Sequence, residues 1–109
     1  MDTIGNFLFR NNGGFVAQGY IMYIDPNGNT GTTDGYGNIP IGQQEWCNPG
    51  DKGVPDGSFV QLAIDIVLGN NRTTGTYYLY SSTSNQYAEY DITGTTFNSS
   101  VHFDGIKTK

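Results

Sequence analysis

The sequence has little cysteine, histidine or basic charge. Cys47 is the only cysteine among 109 residues, so a scaffold held by intrachain disulfides is excluded. His102 is the only histidine, and a zinc site built on a His and Cys cluster is therefore not expected. Lysine and arginine total 5 against 10 acidic residues, for a net charge of −5. This acidic balance disfavours nucleic acid and anionic membranes as partners.

Long apolar runs are also missing. No run approaches the roughly 20 residues needed to cross a bilayer, so no transmembrane segment is expected. The opening residues, Met1 to Asn6, contain no basic region and no apolar stretch, so a secretory signal is not expected either. We therefore expect a mature secreted form or a leaderless protein, located outside the cell or at its surface. A cytoplasmic location stays open.

Helical periodicity is absent from the pattern of apolar residues. Short runs rich in Val, Ile, Tyr, Phe and Thr alternate instead with Gly, Asn, Asp and Pro. This rhythm predicts an all-β chain in which residues 1–109 form a single antiparallel β-sandwich, of the jelly-roll or immunoglobulin-like type. The spacing of the runs predicts about seven or eight strands.

Two runs are predicted to form central strands. Residues 14–25 are largely apolar on both faces, which is typical of a strand covered on each side. Residues 58–68 form the clearest predicted strand, and the predicted core face of that strand carries Val60, Leu62, Ile64, Ile66 and Leu68. Residues 30–38 are predicted to be a loop or a weak edge strand. Residues 39–47 are predicted to be a strand that begins at Pro40 or lies at an edge.

The polar residues are mostly uncharged. Only 14% of residues are charged, while aromatic residues make up another 14%. A sugar presents C–H faces that stack on aromatic rings, and hydroxyl groups that need directional polar partners. Two predicted loop segments offer this mixture, and the predicted ligand-binding residues are Asp34, Tyr36, Asn38, Trp46 and Asn48. The ordinary alternatives are a lid over the core for Trp46 and a surface aromatic for Tyr36.

The segment Asp25–Asn29 raises the question of calcium. Asp25, Asn27 and Asn29 place oxygen atoms at alternate positions, as a calcium loop does. Thr30 and Tyr36 stand where an EF-hand has its Gly and its Glu, so this segment is not an EF-hand. A looser calcium site stays open, beside the alternative of an ordinary turn, and no cofactor is required.

Catalysis is not predicted. Glu89 and Asp91 lie on one face of a predicted strand, roughly 7 Å apart by strand geometry, which is near the separation used by glycosidases. No Gly-x-Ser-x-Gly segment is present, and His102 has no recognisable catalytic neighbours in the sequence. The chain is therefore expected not to be an enzyme, with a small glycosidase as the alternative.

Two segments resemble recurring elements of small β-sandwich proteins, namely Asn11–Ala17 and Tyr90–Asn98. Through them the chain resembles slime-mould hemagglutinins, which are compact sugar-binding sandwiches. The resemblance rests on strand and turn residues, and it implies a fold and a lectin-type function. It assigns no individual sugar-binding residue.

The predicted function is that of a non-catalytic lectin or hemagglutinin. Its partners would be glycans on cell-surface glycoproteins or glycolipids, and homo-oligomerisation would supply avidity for a shallow site. One alternative is a calcium-stabilised cell-adhesion module. Another is a membrane-acting sandwich of the toxin type, against which stands the lack of an amphipathic segment long enough to insert.

Overall fold

The fold is built almost entirely from strands. A computed structural model describes residues 1–109. Its strands are β1 (Thr3–Ile4), β2 (Asn6–Asn11), β3 (Ala17–Ile24), β4 (Thr30–Thr32), β5 (Gln44–Cys47), β6 (Phe59–Ile66), β7 (Arg72–Thr73), β8 (Tyr78–Tyr80), β9 (Gln86–Thr95) and β10 (Asn98–Thr108). One short 3-10 helix spans Pro49–Lys52. The chain has no helix with the length and apolar character to span a bilayer.

The strands form two sheets that share one core. The larger sheet has the order β1-β8-β6-β3-β4, with β7 beside β6, and the smaller has the order β10-β9-β2-β5. A single cluster of buried apolar side chains draws on both sheets, which therefore pack face to face. Its largest fully buried members are Phe7, Phe9, Ile4, Ile21, Leu62, Ile64, Ile66 and Ile92. The all-β prediction is confirmed in this coarse form.

The predicted antiparallel arrangement is wrong in two places. β1 pairs with β8 and β2 pairs with β9, and both pairs are parallel. Both involve the first strands of the chain, which cross from the larger sheet to the smaller one at Gly5 and lie beside strands from the last third of the sequence. Local hydrophobic patterns carry no information about such distant partners.

Several predicted strand limits also differ from the structure. The strand predicted for residues 39–47 begins only at Gln44, since Ile41 and Gly42 form a turn before it. Gly94, a residue type that weakens strands, lies inside β9 with φ of 106°. The structure has ten strands, more than the predicted seven or eight. The sequence did not reveal β1 and β7, because strands of two residues are too short to show an alternating pattern.

β3 and β6 are the central pair of the larger sheet. In β6, Val60, Leu62, Ile64 and Ile66 face the core, as the alternation predicts. The prediction that β3 is covered on both faces is wrong, because its outer face is only half-buried. Tyr20, Met22 and Ile24 lie on that outer face. They are partly open to solvent because no third layer covers the larger sheet.

The direction of each strand determines at which of the two ends of the sandwich its connections lie. The β2–β3, β6–β7 and β9–β10 connections lie at one end, which we call the apical end. The β3–β4 turn, the segment around the 3-10 helix and the β8–β9 turn lie at the opposite, basal end. A surface at the apical end is therefore assembled from segments that are far apart in sequence.

The crossing at Gly5 should tolerate no side chain. A Cβ atom there would lie 2.3 Å from the carbonyl oxygen of Ser84 and 3.1 Å from that of Ser81, and both are backbone atoms. We expect Gly5→Ala to lower the free energy of unfolding by about 1–3 kcal/mol, as overpacking does. Urea unfolding checks this. Gly14→Ala is the control, since a Cβ there meets only Gly94 at 3.6 Å; equal stability of both variants would contradict the prediction.

Candidate functional site

Three apical connections form a shallow hollow of about 460 Å³. Its lining residues, which we call the apical patch, are Phe15, Val16, Val67, Leu68, Thr96 and Phe97. The backbone ties the connections together, since the Val67 N–H donates to the Val16 carbonyl at 3.0 Å. The Gly14 N–H also donates to the Gly94 carbonyl at 2.9 Å. These backbone hydrogen bonds therefore hold the walls of the hollow in fixed positions.

Asn11 fixes the β2–β3 connection from within. Its side chain is fully buried, and its amide nitrogen donates to the carbonyl oxygens of Phe15 at 2.7 Å and Ile39 at 3.0 Å. Its side-chain oxygen accepts from the Gly13 N–H at 3.0 Å. A buried amide with all these partners stabilises one loop conformation and so holds Phe15 at the patch.

The apical patch is unusually exposed for apolar residues. Leu68 is 88% exposed and Phe97 is 70% exposed, while Val16 and Val67 are each more than one-third exposed. Ile41, on the turn before β5, adds another exposed apolar side chain at the same end. Apolar surface residues are normally scattered, and a contiguous group of them marks an interaction surface.

Leu68 adopts a backbone conformation that leucine disfavours. Its φ is 61°, and it is the only residue other than glycine with a positive φ. The Gly69 N–H donates to the Ile66 carbonyl at 2.9 Å, which closes a turn with Val67 and Leu68 at its centre. This conformation favours glycine, and a leucine that adopts it lowers the stability of the fold by about 1–2 kcal/mol. Fold stability therefore gives no reason for this exposed leucine.

The apical connections are nearly free of charge. Residues 12–16, 67–72 and 94–100 include Arg72 and no acidic residue, although the chain has 10 acidic residues. Arg72 donates from Nε to the Ser99 hydroxyl at 2.9 Å. Asn70, Asn71 and Asn98 supply neutral polar groups in the same connections. The apical end thus combines an apolar centre with a mostly neutral polar surround.

Sequence reasoning missed this patch. The alternation of β6 placed Leu68 on the core face with Ile66, and that prediction is wrong because the strand ends at Ile66 and the chain turns. The available signal was the position of apolar residues directly beside turn residues, as in Leu68-Gly69-Asn70. Phe97 shows the same signal before Asn98.

Tyr36 lies in a packed position. Its ring packs against the core cluster, and its hydroxyl donates to the Asn48 carbonyl at 2.5 Å. The Lys52 ammonium lies 5.2 Å from the ring centroid. Burial raises the pKa of the Tyr36 hydroxyl well above its ordinary value, and the nearby Cys47 and Asp51 raise it further. Tyr36 thus closes the side of the sandwich between β3 and β5.

Trp46 faces away from Tyr36. It lies on β5 next to the fully buried Cys47, so its side chain points to the outer face of the smaller sheet. Trp46 is 41% exposed, and its ring meets that of Tyr87 edge-on, with centroids 4.8 Å apart. The Lys109 ammonium lies over the ring at 4.1 Å. The structure therefore does not bring Trp46 and Tyr36 together.

The other predicted sugar ligands are spread along the chain. The Asn48 side chain accepts from the Gly50 N–H at 2.9 Å and so caps the 3-10 helix. Asp34 and Asn38 are exposed on the segment that runs beside β3. Tyr36 and Asn48 are thus brought together by their hydrogen bond, while Trp46 lies on another face. The role of all five residues in sugar binding stays a prediction.

The predicted calcium segment forms a tight turn at the basal end. One carboxylate oxygen of Asp25 accepts from the N–H groups of Asn27 at 2.9 Å and Asn29 at 2.8 Å. Its other oxygen accepts from the Asn29 side chain at 3.4 Å. No three side chains of the His, Cys, Asp or Glu types gather as metal ligands. Calcium binding by this turn stays an untested prediction.

The acidic pair considered for catalysis lies on the outer face of the smaller sheet. Glu89 forms an ion pair with Lys107 at 3.1 Å. Asp91 accepts from the Asn12 amide at 3.5 Å and lies near Asp104, on the bulge of β10. Desolvation, and then the neighbouring Asp91, raise the pKa of Asp104. The two residues of the pair thus have different partners.

Glu45 is a partly buried carboxylate that the sequence did not reveal as unusual. Its side chain lies on the core-facing side of β5, and one carboxylate oxygen accepts a weak hydrogen bond from the Gly19 N–H at 3.4 Å. Burial raises the pKa of Glu45, while the Gly19 N–H opposes the shift. Burial also raises the pKa of the Cys47 thiol, and the charge of Glu45 adds to that effect.

Comparison with solved structures finds this fold in toxins. No family model and no curated protein matches the sequence. A structure of pneumolysin matches 96% of this chain and 23% of its own length, at 17% identity and a TM-score of 0.50. A structure of a Gram-negative toxin matches 92% of this chain and 22% of its own length, at 14% identity and a TM-score of 0.52. This chain spans less than a quarter of either protein, and the likeness shows the fold.

Glu45→Gln should stabilise the protein at neutral pH. The raised pKa means that the fold favours the protonated carboxyl, so the charged form is destabilising above the raised pKa. Glutamine keeps an acceptor for Gly19 and removes that charge. We expect a higher Tm for the variant at neutral pH, and a difference that shrinks as pH falls through the raised pKa toward the ordinary one. Circular dichroism melts across this range measure it.

Asp34→Asn is the matched control for Glu45→Gln. Asp34 is exposed on a neighbouring segment, so its replacement tests the loss of one negative charge from an acidic chain. A Glu45→Gln gain no larger than that of the control, or a gain that does not change with pH, would contradict the burial argument.

Proposed function

We propose that this chain is a module that attaches to the surface of a lipid bilayer through its apical patch. The observation that carries the proposal is Leu68, an 88% exposed leucine held in a left-handed conformation that favours glycine. Phe97 stands beside it on another connection and is also mostly exposed. These side chains would lie at the boundary between headgroups and acyl chains.

The form of the patch favours a bilayer over a protein partner. It consists of the tips of three connections, with a shallow hollow between them and no free strand edge. The residues around it are almost all neutral, so entry among headgroups brings no acidic group with it. A zwitterionic surface fits best, because the net charge of −5 opposes approach to an anionic one.

The expected affinity of one module is modest. Burial of an exposed leucine or phenylalanine side chain contributes about 1.5–3 kcal/mol, so two such residues give weak, reversible attachment. Stable attachment would then need several modules acting together. Homo-oligomerisation, or membership in a longer protein, would supply them.

The toxin-type alternative raised by the sequence agrees with this proposal. The objection was the lack of a long amphipathic segment, and three short connections avoid that requirement. The fold of this chain also occurs within pneumolysin and a Gram-negative toxin, which is consistent with such a role. The lectin function, the hemagglutinin resemblance and the cell-surface location stay proposals.

Leu68→Gly separates membrane attachment from stability. Glycine relieves the left-handed strain, so we expect an equal or higher Tm. Loss of the leucine side chain should weaken binding to phosphatidylcholine vesicles by roughly tenfold or more, as the lost burial energy implies. Vesicle co-sedimentation measures the partition, and Phe97→Ser should reduce it similarly.

Phe103→Ser is the matched control for the patch variants. Phe103 is 55% exposed in the middle of β10, away from the apical end, so its removal should leave vesicle binding unchanged. Failure of the natural chain to sediment with vesicles would overturn the proposal. So would equal loss of binding in Phe103→Ser and Leu68→Gly.

A further inference from the structure

A second hollow lies on the outer face of the larger sheet. It has a volume of about 280 Å³ and is lined by Met22, Tyr23, Thr30, Gly31, Thr32 and Tyr77. We call it the β4 hollow. None of its lining residues carries a charge, and none belongs to the apical patch or to the residues predicted from the sequence for sugar binding.

Strand register sets the chemistry of its walls. Thr32 lies opposite Met22 and Thr30 lies opposite Ile24, so both threonine side chains share the outer face with Met22. Tyr77 directly precedes the core-facing Tyr78, so its side chain lies on the outer face with Met22. Met22 thus forms an apolar floor between an aromatic ring on one side and two hydroxyl groups on the other.

The polar wall has free hydrogen-bonding groups. Gly31 lies opposite Tyr23, and the Thr33 N–H donates to the Ile21 carbonyl at 2.9 Å, so alternate residues of this segment face β3. The backbone groups of Thr30 and Thr32 consequently face the open edge of the sheet. Both residues are exposed. Two hydroxyls and the flanking peptide groups are available together.

We propose that the β4 hollow binds a single neutral pyranose ring of a glycan. A sugar ring has C–H faces, which pack on Tyr77 and Met22, and a rim of hydroxyls, which pair with Thr30 and Thr32. The absence of charge in the lining suits an uncharged sugar. The volume lies just below the roughly 300–1,000 Å³ of drug-sized sites, so one ring fits better than a longer ligand.

The site is independent of membrane attachment, and the two are compatible. Met22 lies five residues along β3 from Ala17, which is near the apical end, a distance of roughly 17 Å by strand rise. A chain attached at its apical end would therefore hold the β4 hollow above the headgroups. Glycans of glycolipids and membrane glycoproteins project into that layer.

The experiment is an amide chemical-shift titration with four probes. These are the methyl glycosides of glucose, galactose and mannose, and N-acetylglucosamine. We expect at least one probe to shift the signals of Met22, Thr30–Thr32 and Tyr77, and to leave those of Leu68 unchanged. No shift with any probe would overturn the proposal, as would shifts centred on Trp46 instead.

Valine variants test the polar wall without disturbing the strand. Thr30→Val and Thr32→Val keep the β-branched shape and remove one hydroxyl each, so each should weaken sugar binding by about fivefold, the loss of one ordinary hydrogen bond. Thr95→Val, at the exposed end of β9, is the matched control and should bind as the natural chain does. Unchanged binding in both wall variants would overturn the proposed contacts.

Two cross-measurements separate this site from the apical patch. The Thr30→Val and Thr32→Val variants should partition into phosphatidylcholine vesicles as the natural chain does. Leu68→Gly should keep its sugar-induced shifts. If the Leu68→Gly variant lost the sugar-induced shifts, sugar binding would depend on the apical end. The β4 hollow would then be excluded as an independent site.

Discussion

The structure depends on the parallel pairing of β2 with β9. β2 carries Phe7 and Phe9 into the core and also joins β5 to the rest of the smaller sheet. The chain reaches this place by leaving the larger sheet at Gly5, where the backbone of Ser84 approaches too closely for any side chain. β2 then ends at the buried Asn11, whose amide holds the first apical connection. Core, sheet order and apical end are therefore set by one short segment.

The sequence predicted what depends on neighbouring residues and missed what depends on distant ones. The alternation of β6 identified Val60, Leu62, Ile64 and Ile66 as core residues, because each faces the same side of one strand. The same alternation misplaced Leu68, since a period of two does not show where a strand ends. The parallel partners of β1 and β2 left no local trace, and the predicted antiparallel sandwich was wrong for that reason.

The candidate sites differ in how much the sequence revealed. Tyr36 between glycines has the composition of an exposed loop aromatic, and only the tertiary contact with Asn48 shows its packed position. Trp46 was predicted to bind a ligand together with Tyr36, but strand alternation turns it to a different face. The two threonines of β4 were part of a predicted loop or weak edge strand. Their common orientation follows from the register with β3, which no single segment encodes.

The buried Asn11 has a consequence for the kinetics of binding. Its hydrogen bonds, together with those between the connections, order the apical backbone before any partner arrives. Association then loses little conformational entropy, unlike the coupled folding of a disordered segment. Encounter should proceed as a rigid-body event limited by diffusion and orientation. The strength of attachment is then set by how fast the module leaves the surface.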